Sequence, residues 1–232
     1  MRILTHIPLG PADYAIALRL QEHLVDEVRQ DPARAYVVTV EHRPAVITLG
    51  RRGRRGDILA SQRRLADEGI RVHKCSRGGQ VTCHGPGQLV AYPIWQLGRG
   101  GRSVHGHVHL LEEAIIRLLD EFGIEAARRC GAIGVYVGGS KIAAVGVAVT
   151  RWVCYHGLAL NVQPDLSHFD MIVPCGEPGA AATSMAELLG HGMTMTDVIR
   201  QLVAAICDTC GFDKCVAAGT MPDASSPLER HA

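Results

Sequence analysis

Aromatic side chains are scarce in this chain: three Phe, two Trp and five Tyr make up 4% of 232 residues. That is thin for a protein that stacks nucleic-acid bases. A net charge of +1 likewise provides no chain-wide footprint for a polyanion. Long apolar runs are also missing. The longest, Ile142 to Val149, has eight residues and contains Gly146, whereas a membrane-spanning helix needs about 20. The first ten residues hold no basic region followed by an apolar stretch and no Arg- and Ser-rich amphipathic start, so neither a secretory signal nor a transit peptide is expected. Eight Cys are too few for a disulfide scaffold. These absences predict a cytoplasmic chain with reduced thiols and neither a nucleic-acid nor a membrane partner.

What is present suits a packed domain. Apolar residues are 47% and charged residues 20%, enough for a substantial core. Residues 12–28 read as a helix, with Tyr14, Leu18, Val25 and Val28 at steps of three and four. Residues 36–40 and 45–49 read as strands around the turn Glu41-His42-Arg43-Pro44, and 88–94 as another. Residues 51–77 look irregular. Val108, Leu111, Ile115, Leu118 and Phe122 define the clearest helix, stopped at Gly123. Residues 135–137 and 141–149 form an expected hairpin through Gly138-Gly139-Ser140, and 153–162 is a further strand. Ser184 with Glu187 suggests a capping box. Thr194 with Asp197 opens a last helix whose apolar face is Ile199, Val203, Ile206 and Cys210. Hairpins and helices without βαβ alternation predict an α+β fold, a mixed sheet with helices packed on it. One domain over residues 1–215 and a loose tail over 216–232 are expected.

Three segments could carry chemistry. Arg77-Gly78-Gly79-Gln80-Val81-Thr82-Cys83-His84-Gly85-Pro86-Gly87-Gln88 is rich enough in Gly to let backbone approach another group, and successive N–H groups can form a nest. Glycine loops are more often plain turns, and the spacing is wrong for a dinucleotide fingerprint. Gly138-Gly139-Ser140-Lys141 is not a phosphate loop, since Ser140 stands where Gly is needed before Lys. Lys141 is then either a strand-end cation reaching water or a partly desolvated amine. Val173-Pro174-Cys175-Gly176-Glu177-Pro178-Gly179 puts a Cys in a Pro/Gly-bracketed loop, unlike a core Cys in an apolar run.

Other clusters read as structure. Cys207 and Cys210 sit in the last helix beside Val203 and Ile206, which favours core packing over redox or metal chemistry. His105, His107 and His109 read as a solvated turn, and Cys75, Cys83 and His84 lack a fourth ligand, so no metal site is expected. Residues 51–77 hold nine basic residues (Arg51, Arg52, Arg54, Arg55, Arg63, Arg64, Arg71, Lys74, Arg77) against Asp57, Asp67 and Glu68, making the segment +6 and the remainder −5. Such a run is usually a solvated face, yet it would steer an acidic macromolecule to one side of the molecule.

At these residues the sequence resembles the lipoyl(octanoyl) transferases. The Arg77-to-Gln88 segment, continuing through Leu89-Val90-Ala91-Tyr92-Pro93, is similar to their signature. So are Glu41-His42 with Pro44, Lys141 through Val147, His156 through Asn161, Phe169 through Cys175-Gly176, and Thr183-Ser184, in order from about residue 10 to about 210. One departure is Cys83, where the family usually carries an aromatic, which puts acyl-length preference in question. The resemblance implies a fold shared with biotin and lipoate protein ligases, a largely antiparallel mixed sheet flanked by helices. It implies transfer of an octanoyl group from octanoyl-acyl carrier protein to a lysine of lipoyl domains, those of 2-oxoacid dehydrogenase E2 subunits and the glycine cleavage H protein, without a cofactor. It implies Cys175 as acyl acceptor and Lys141 as its partner. By the same carry-over Arg77, Gly78, Gly79, Gln80, Val81, Thr82, Cys83 and His84, with Ala144, Val145, Gly146, Gly157, Leu158 and Ala159, line the acyl site.

In that chemistry a thiol of pKa about 8.5 is activated by a neighbouring cation, and a Lys141 shifted toward neutrality could later take the proton of the attacking amine. Small residues at 144, 146, 157 and 159 are expected to leave room for an unbranched chain. Three rivals share some of these features: an ATP-dependent ligase on the same scaffold, an amidotransferase with a lipoylated protein as donor, and a non-enzymatic metal or nucleic-acid binder.

Overall fold

A computed structural model describes residues 1–98, 103–173 and 181–218. Sixteen elements are described: β1 (Ile3–Ala12), α1 (Tyr14–Gln30), β2 (Ala35–His42), β3 (Val46–Leu49), α2 (Gln62–Asp67), β4 (Arg71–Lys74), β5 (Val81–His84), β6 (Gln88–Gln96), α3 (Val104–Glu121), β7 (Ala127–Arg129), β8 (Ala132–Val137), β9 (Ser140–Thr150), β10 (Val153–Asn161), α4 (Met185–Leu189), α5 (Met195–Thr209) and β11 (Lys214–Ala217). Eight strands form one sheet in the order β11-β1-β2-β6-β10-β9-β8-β7, and β4-β3-β5 form a second, small one. Only the β11–β1 and β1–β2 pairings of the large sheet are parallel; the others are antiparallel.

The large sheet is buried on both faces. Alternation along β6 and β10 sends Leu89, Ala91, Leu158 and Leu160 toward Leu111, Ile115, Leu118, Leu202 and Ile206 of α3 and α5. Val90, Tyr92 and Ala159 face the other way, toward Ala17, Leu24, Val25 and Val28 of α1. Each fully buried Leu or Ile contributes about 1.5–3 kcal/mol. The small sheet closes over its own cluster, where Ile47, Leu49, Val81 and Cys83 meet Leu65, Met171 and Ile172. Side-chain caps start the helices: Asp13 for α1, Ser103 for α3 and Thr194 for α5. Each such cap is worth about 1 kcal/mol.

Several expectations need correction. Residues 51–77 are not irregular throughout; they hold a 3₁₀ turn at Arg55–Asp57, α2 and β4. The capped helix α2 is short, and its only buried side chain is Leu65, so it leaves no periodic stripe. Helix α1 starts at Tyr14, because Asp13 is the cap. On α5 the expected Val203, Ile206 and Cys210 are buried, joined by Val198 and Leu202, while Ile199 sits at the margin of the face. His107 is buried edge-on against Trp95 within α3, not in a solvated turn. Ser184 caps α4, but Glu187 accepts from the Thr183 hydroxyl and not from the cap backbone, so only half of the expected box forms. Strand β11 runs through Ala217, two residues past the expected domain end. Residues 98–102, with three Gly in five residues, read as a loop; of these only Gly98 is among the described residues.

Candidate active site

Lys141 stands one residue past a two-residue hairpin turn, where Gly138 and Gly139 have φ of 54° and 92°. Two positive φ values define the turn that matches strand twist, and glycine meets that demand without strain. The Lys141 side chain is half-buried. Its Nζ lies 3.3 Å from the Ile133 carbonyl and 5.2 Å from the centre of the Tyr136 ring. The backbone of Lys141 is clamped from outside the sheet: its N–H donates to Ala181 O at 2.8 Å, and its carbonyl accepts from Thr183 N at 3.0 Å. Around it a cavity is walled by Val81 and Thr82 of β5, Ala144 and Ala159 of the large sheet, the polar Gln88 and Asn161, Phe169, and Ala181 with Ala182.

The register sorts the expected lining residues by face. Across β9 and β10, Ala144 pairs with Ala159, Val145 with Leu158, and Gly146 with Gly157. Ala144 and Ala159 open on the Lys141 cavity. Val145 and Leu158 pack on the α3/α5 side and are not among the residues that line the cavity. The two glycines do not leave a free slot. A Cβ on Gly146 would lie 3.1 Å from Gly78 O and 3.4 Å from Arg77 Cδ, and one on Gly157 would lie 2.3 Å from Ala91 O. Their smallness admits backbone: at Gly146 the signature loop crosses the sheet, fastened by Gly78 N–H to Val147 O at 2.8 Å.

The signature segment is itself divided. Arg77 points its guanidinium at Thr48, donating to its carbonyl and hydroxyl at 2.8 Å, so it holds the loop and meets no carboxylate there. Gln80 and Gly79 offer carbonyls to Gly50 and Arg52. Val81 and Thr82 reach the cavity. Cys83 faces the small-sheet core and is 2% exposed. Its side chain therefore belongs to the small-sheet core and is not among the residues that line the cavity.

His84, His42 and His156 are buried. Burial pushes His42 and His156 down to about 4, with the Arg77 guanidinium adding to the effect on His156. Burial, reinforced by His42, pushes His84 to about 3. Each is neutral at pH 7 and hydrogen-bonded: His42 Nε2 to Tyr92 OH at 2.7 Å, His84 Nδ1 to Gln88 Oε1 at 2.7 Å and His156 Nε2 to Ser76 Oγ at 3.2 Å. His156 has φ of 55°, and its N–H donates to Gln21 Oε1 of α1 at 2.9 Å. Gln21 interrupts the apolar stripe of α1, a polar break visible in the sequence.

Cys175 lies outside the described residues, which exclude 174–180. Its flanks are described. Val173 N–H donates to Asp57 O at 2.8 Å, two residues before Cys175, and Phe169, Ala181 and Ala182 line the cavity with Lys141. The buried thiols are poor nucleophile candidates: burial drives Cys83 and Cys154 to about 12 and raises Cys207 and Cys215. Cys207 and Cys210 pack in the core, as expected. Among the described residues no group of three or more His, Cys, Asp or Glu is arranged to hold a metal. Sequence reasoning missed Gln88, Asn161 and Thr183 as site residues. The signal was there: Gln88 and Asn161 are polar residues at the ends of two largely apolar strands, and they face each other in the register.

The site is thus a lysine-bearing cavity between the large mixed sheet and β5 of the small one. A crystal structure of lipoate-protein ligase A bound with ATP matches at a TM-score of 0.79, with 13% identity, covering 95% of this chain and 90% of that one. The bi-partite lipoate protein ligase of Thermoplasma acidophilum matches at 0.75, with 15% identity, over 96% and 88%. At those identities the likeness concerns the fold. The lipoyl protein ligase A/B catalytic domain family matches residues 13–207, and the chain belongs to that family. Among its relatives the octanoyltransferase of Caldicellulosiruptor saccharolyticus is 46% identical over 193 residues, 82% of each chain. That of Solibacter usitatus is 50% identical over 180 residues, 78% of this chain and 81% of its own. The chain is accordingly an acyltransferase that moves an octanoyl group in protein lipoylation.

Proposed function

We propose that the octanoyl group passes through a thioester on Cys175. The Cys175 thiolate attacks the carbonyl carbon of octanoyl-acyl carrier protein; a new C–S bond forms and the carrier thiolate leaves. The amine of a lipoyl-domain lysine then attacks the octanoyl-Cys175 carbonyl. The amide C–N bond forms, the Cys175 thiolate departs, and the amine's proton must be removed. Lys141, protonated, stabilises the Cys175 thiolate; deprotonated, it takes the amine's proton. The acceptors are the lipoyl domains of 2-oxoacid dehydrogenase E2 subunits and the glycine cleavage H protein. The observation that carries this reading is the wall of the Lys141 cavity, to which both flanks of the Cys175 segment contribute. Residues 1–215 form the catalytic domain, with β11 carrying it to Ala217.

The loop Arg51–Arg55 serves as the docking face for the acidic carrier. Arg63 and Arg64 are paired with Asp67 and Glu68, whereas the exposed Arg51, Arg52, Arg54 and Arg55 have no ion pair among the described residues. The loop also abuts the site. Arg51 N and Arg52 N bond to Arg77 O and Gly79 O, and Asp57 O holds Val173.

Incubation with octanoyl-acyl carrier protein and no ATP should add one octanoyl mass to Cys175, removable by hydroxylamine. A Cys175→Ala protein that transfers at the normal rate would falsify the thioester route, and an absolute requirement for ATP would favour a ligase.

A further inference from the structure

Three side chains and one backbone carbonyl form a directed chain of hydrogen bonds along the cavity wall. His84 Nδ1 meets Gln88 Oε1 at 2.7 Å, Gln88 Nε2 donates to Asn161 Oδ1 at 2.9 Å, and Asn161 Nδ2 donates to Thr183 O at 2.9 Å. Gln88 and Asn161 are direct register partners on β6 and β10 and are only 3% and 4% exposed. An amide side chain can be turned end for end, and an imidazole can carry its one proton on either nitrogen. Here neither choice is open. Thr183 O is a backbone carbonyl and can only accept. Its residue is held in place from the other side, where Thr183 N–H donates to Lys141 O at 3.0 Å. Asn161 must therefore present Nδ2 to Thr183, which leaves Oδ1 for Gln88. Gln88 must present Nε2, which also reaches the Cys83 carbonyl at 3.5 Å, leaving Oε1 for His84. An acceptor at 2.7 Å requires a proton on Nδ1. Reversing any member would set two acceptors against each other in a buried site and forfeit that hydrogen bond.

We infer that Gln88 and Asn161 are positioning residues that fix His84 as the Nδ1–H tautomer, with Nε2 left as a hydrogen-bond acceptor in the signature segment. The polarity is dictated by the Ala181–Thr183 backbone that also grips Lys141. The geometry of the signature loop, the strand of Lys141 and the segment beyond Cys175 is thus locked by one chain. This is the reverse of the tautomer imidazole prefers in water, where Nε2–H predominates.

The test is a two-bond proton–nitrogen correlation spectrum of protein labelled with nitrogen-15 in its twelve histidines, with the His84 signals identified by their loss in His84→Gln. The expected pattern for His84 is a protonated Nδ1 and a bare, pyridine-type Nε2 at pH 7. Nε2–H on His84 in the wild-type protein would overturn the inference, whatever the outcome of the thioester experiments. Gln88→Leu should release the tautomer and lower kcat about 10-fold or more, with the donor KM changed less than twofold. If the folded variant keeps the Nδ1–H pattern and full kcat, the positioning role is refuted.

Discussion

Three imidazoles buried in neutral form should make this protein acid-sensitive well before its carboxylates titrate. The perturbation is a drop from pH 7.5 to pH 5. His42, His84 and His156 have ordinary values near 6.5 when the chain is unfolded and about 4, 3 and 4 when it is folded. The unfolded chain therefore binds more protons throughout this window, so stability is complete above about pH 6.5 and declines as pH falls toward 4. At pH 5 each group costs about 2 kcal/mol relative to pH 7.5, and the three together about 6 kcal/mol. That is a large share of the roughly 5–15 kcal/mol available to a domain of this kind. His6, whose value burial also lowers, acts in the same direction. Urea unfolding followed by circular dichroism at half-unit pH steps would measure the slope, expected near 4 kcal/mol per pH unit at pH 5 to 6, or about three protons taken up. His42→Gln should reduce the uptake by about one proton. A stability constant between pH 5 and 7, or a slope unaffected by that substitution, would show that these rings are not held neutral as described.

Lys141→Ala should slow both acylation of Cys175 and transfer to the acceptor by about 10²-fold or more; single-turnover kinetics that show either step unchanged would remove Lys141 from that step. Arg51→Glu with Arg52→Glu should raise the carrier KM at low salt and flatten its salt dependence, with kcat preserved; an unaltered KM would place donor docking elsewhere. Gly146→Ala puts a Cβ 3.1 Å from Gly78 O, so it should lift the signature loop and cut activity while the thermal midpoint falls only a few degrees. Full activity in that variant would show that the crossing is not needed. Cys83→Ala should lower stability without altering acyl-length preference, since the side chain belongs to the small-sheet core; a shifted chain-length profile would contradict that placement.

Much of the scaffold could be read from residues alone where burial is one-sided or periodic. The stripe of α3, the glycine turn before Lys141 and the strand from Gln88 carry their pattern on the surface of the sequence. Elements lacking a stripe were opaque. In β1, Pro8, Gly10 and Pro11 obscure a strand that exists because β2 and β11 pair with it on both sides. For the site, Lys141 was identified and lies in the cavity, and the resemblance named the loops around it. What residue type could not reveal was orientation. Arg77, a side chain able to pair with a carboxylate or phosphate, is spent on Thr48; glycines expected to make room for an acyl chain make room for backbone. Those outcomes depend on which strand faces which, a long-range property that spacing does not encode.

The first strand of this protein has its outer neighbour near the opposite end of the chain: Ile3 sits beside Lys214 and His6 beside Ala217. A ribosome must therefore read on from β1 through Lys214 before that flank of the sheet is covered. Until then the nascent domain exposes a row of unmet peptide groups, and a premature stop before Lys214 would leave the flank permanently bare, with β2, β6 and β10 between β1 and the β9 that carries Lys141.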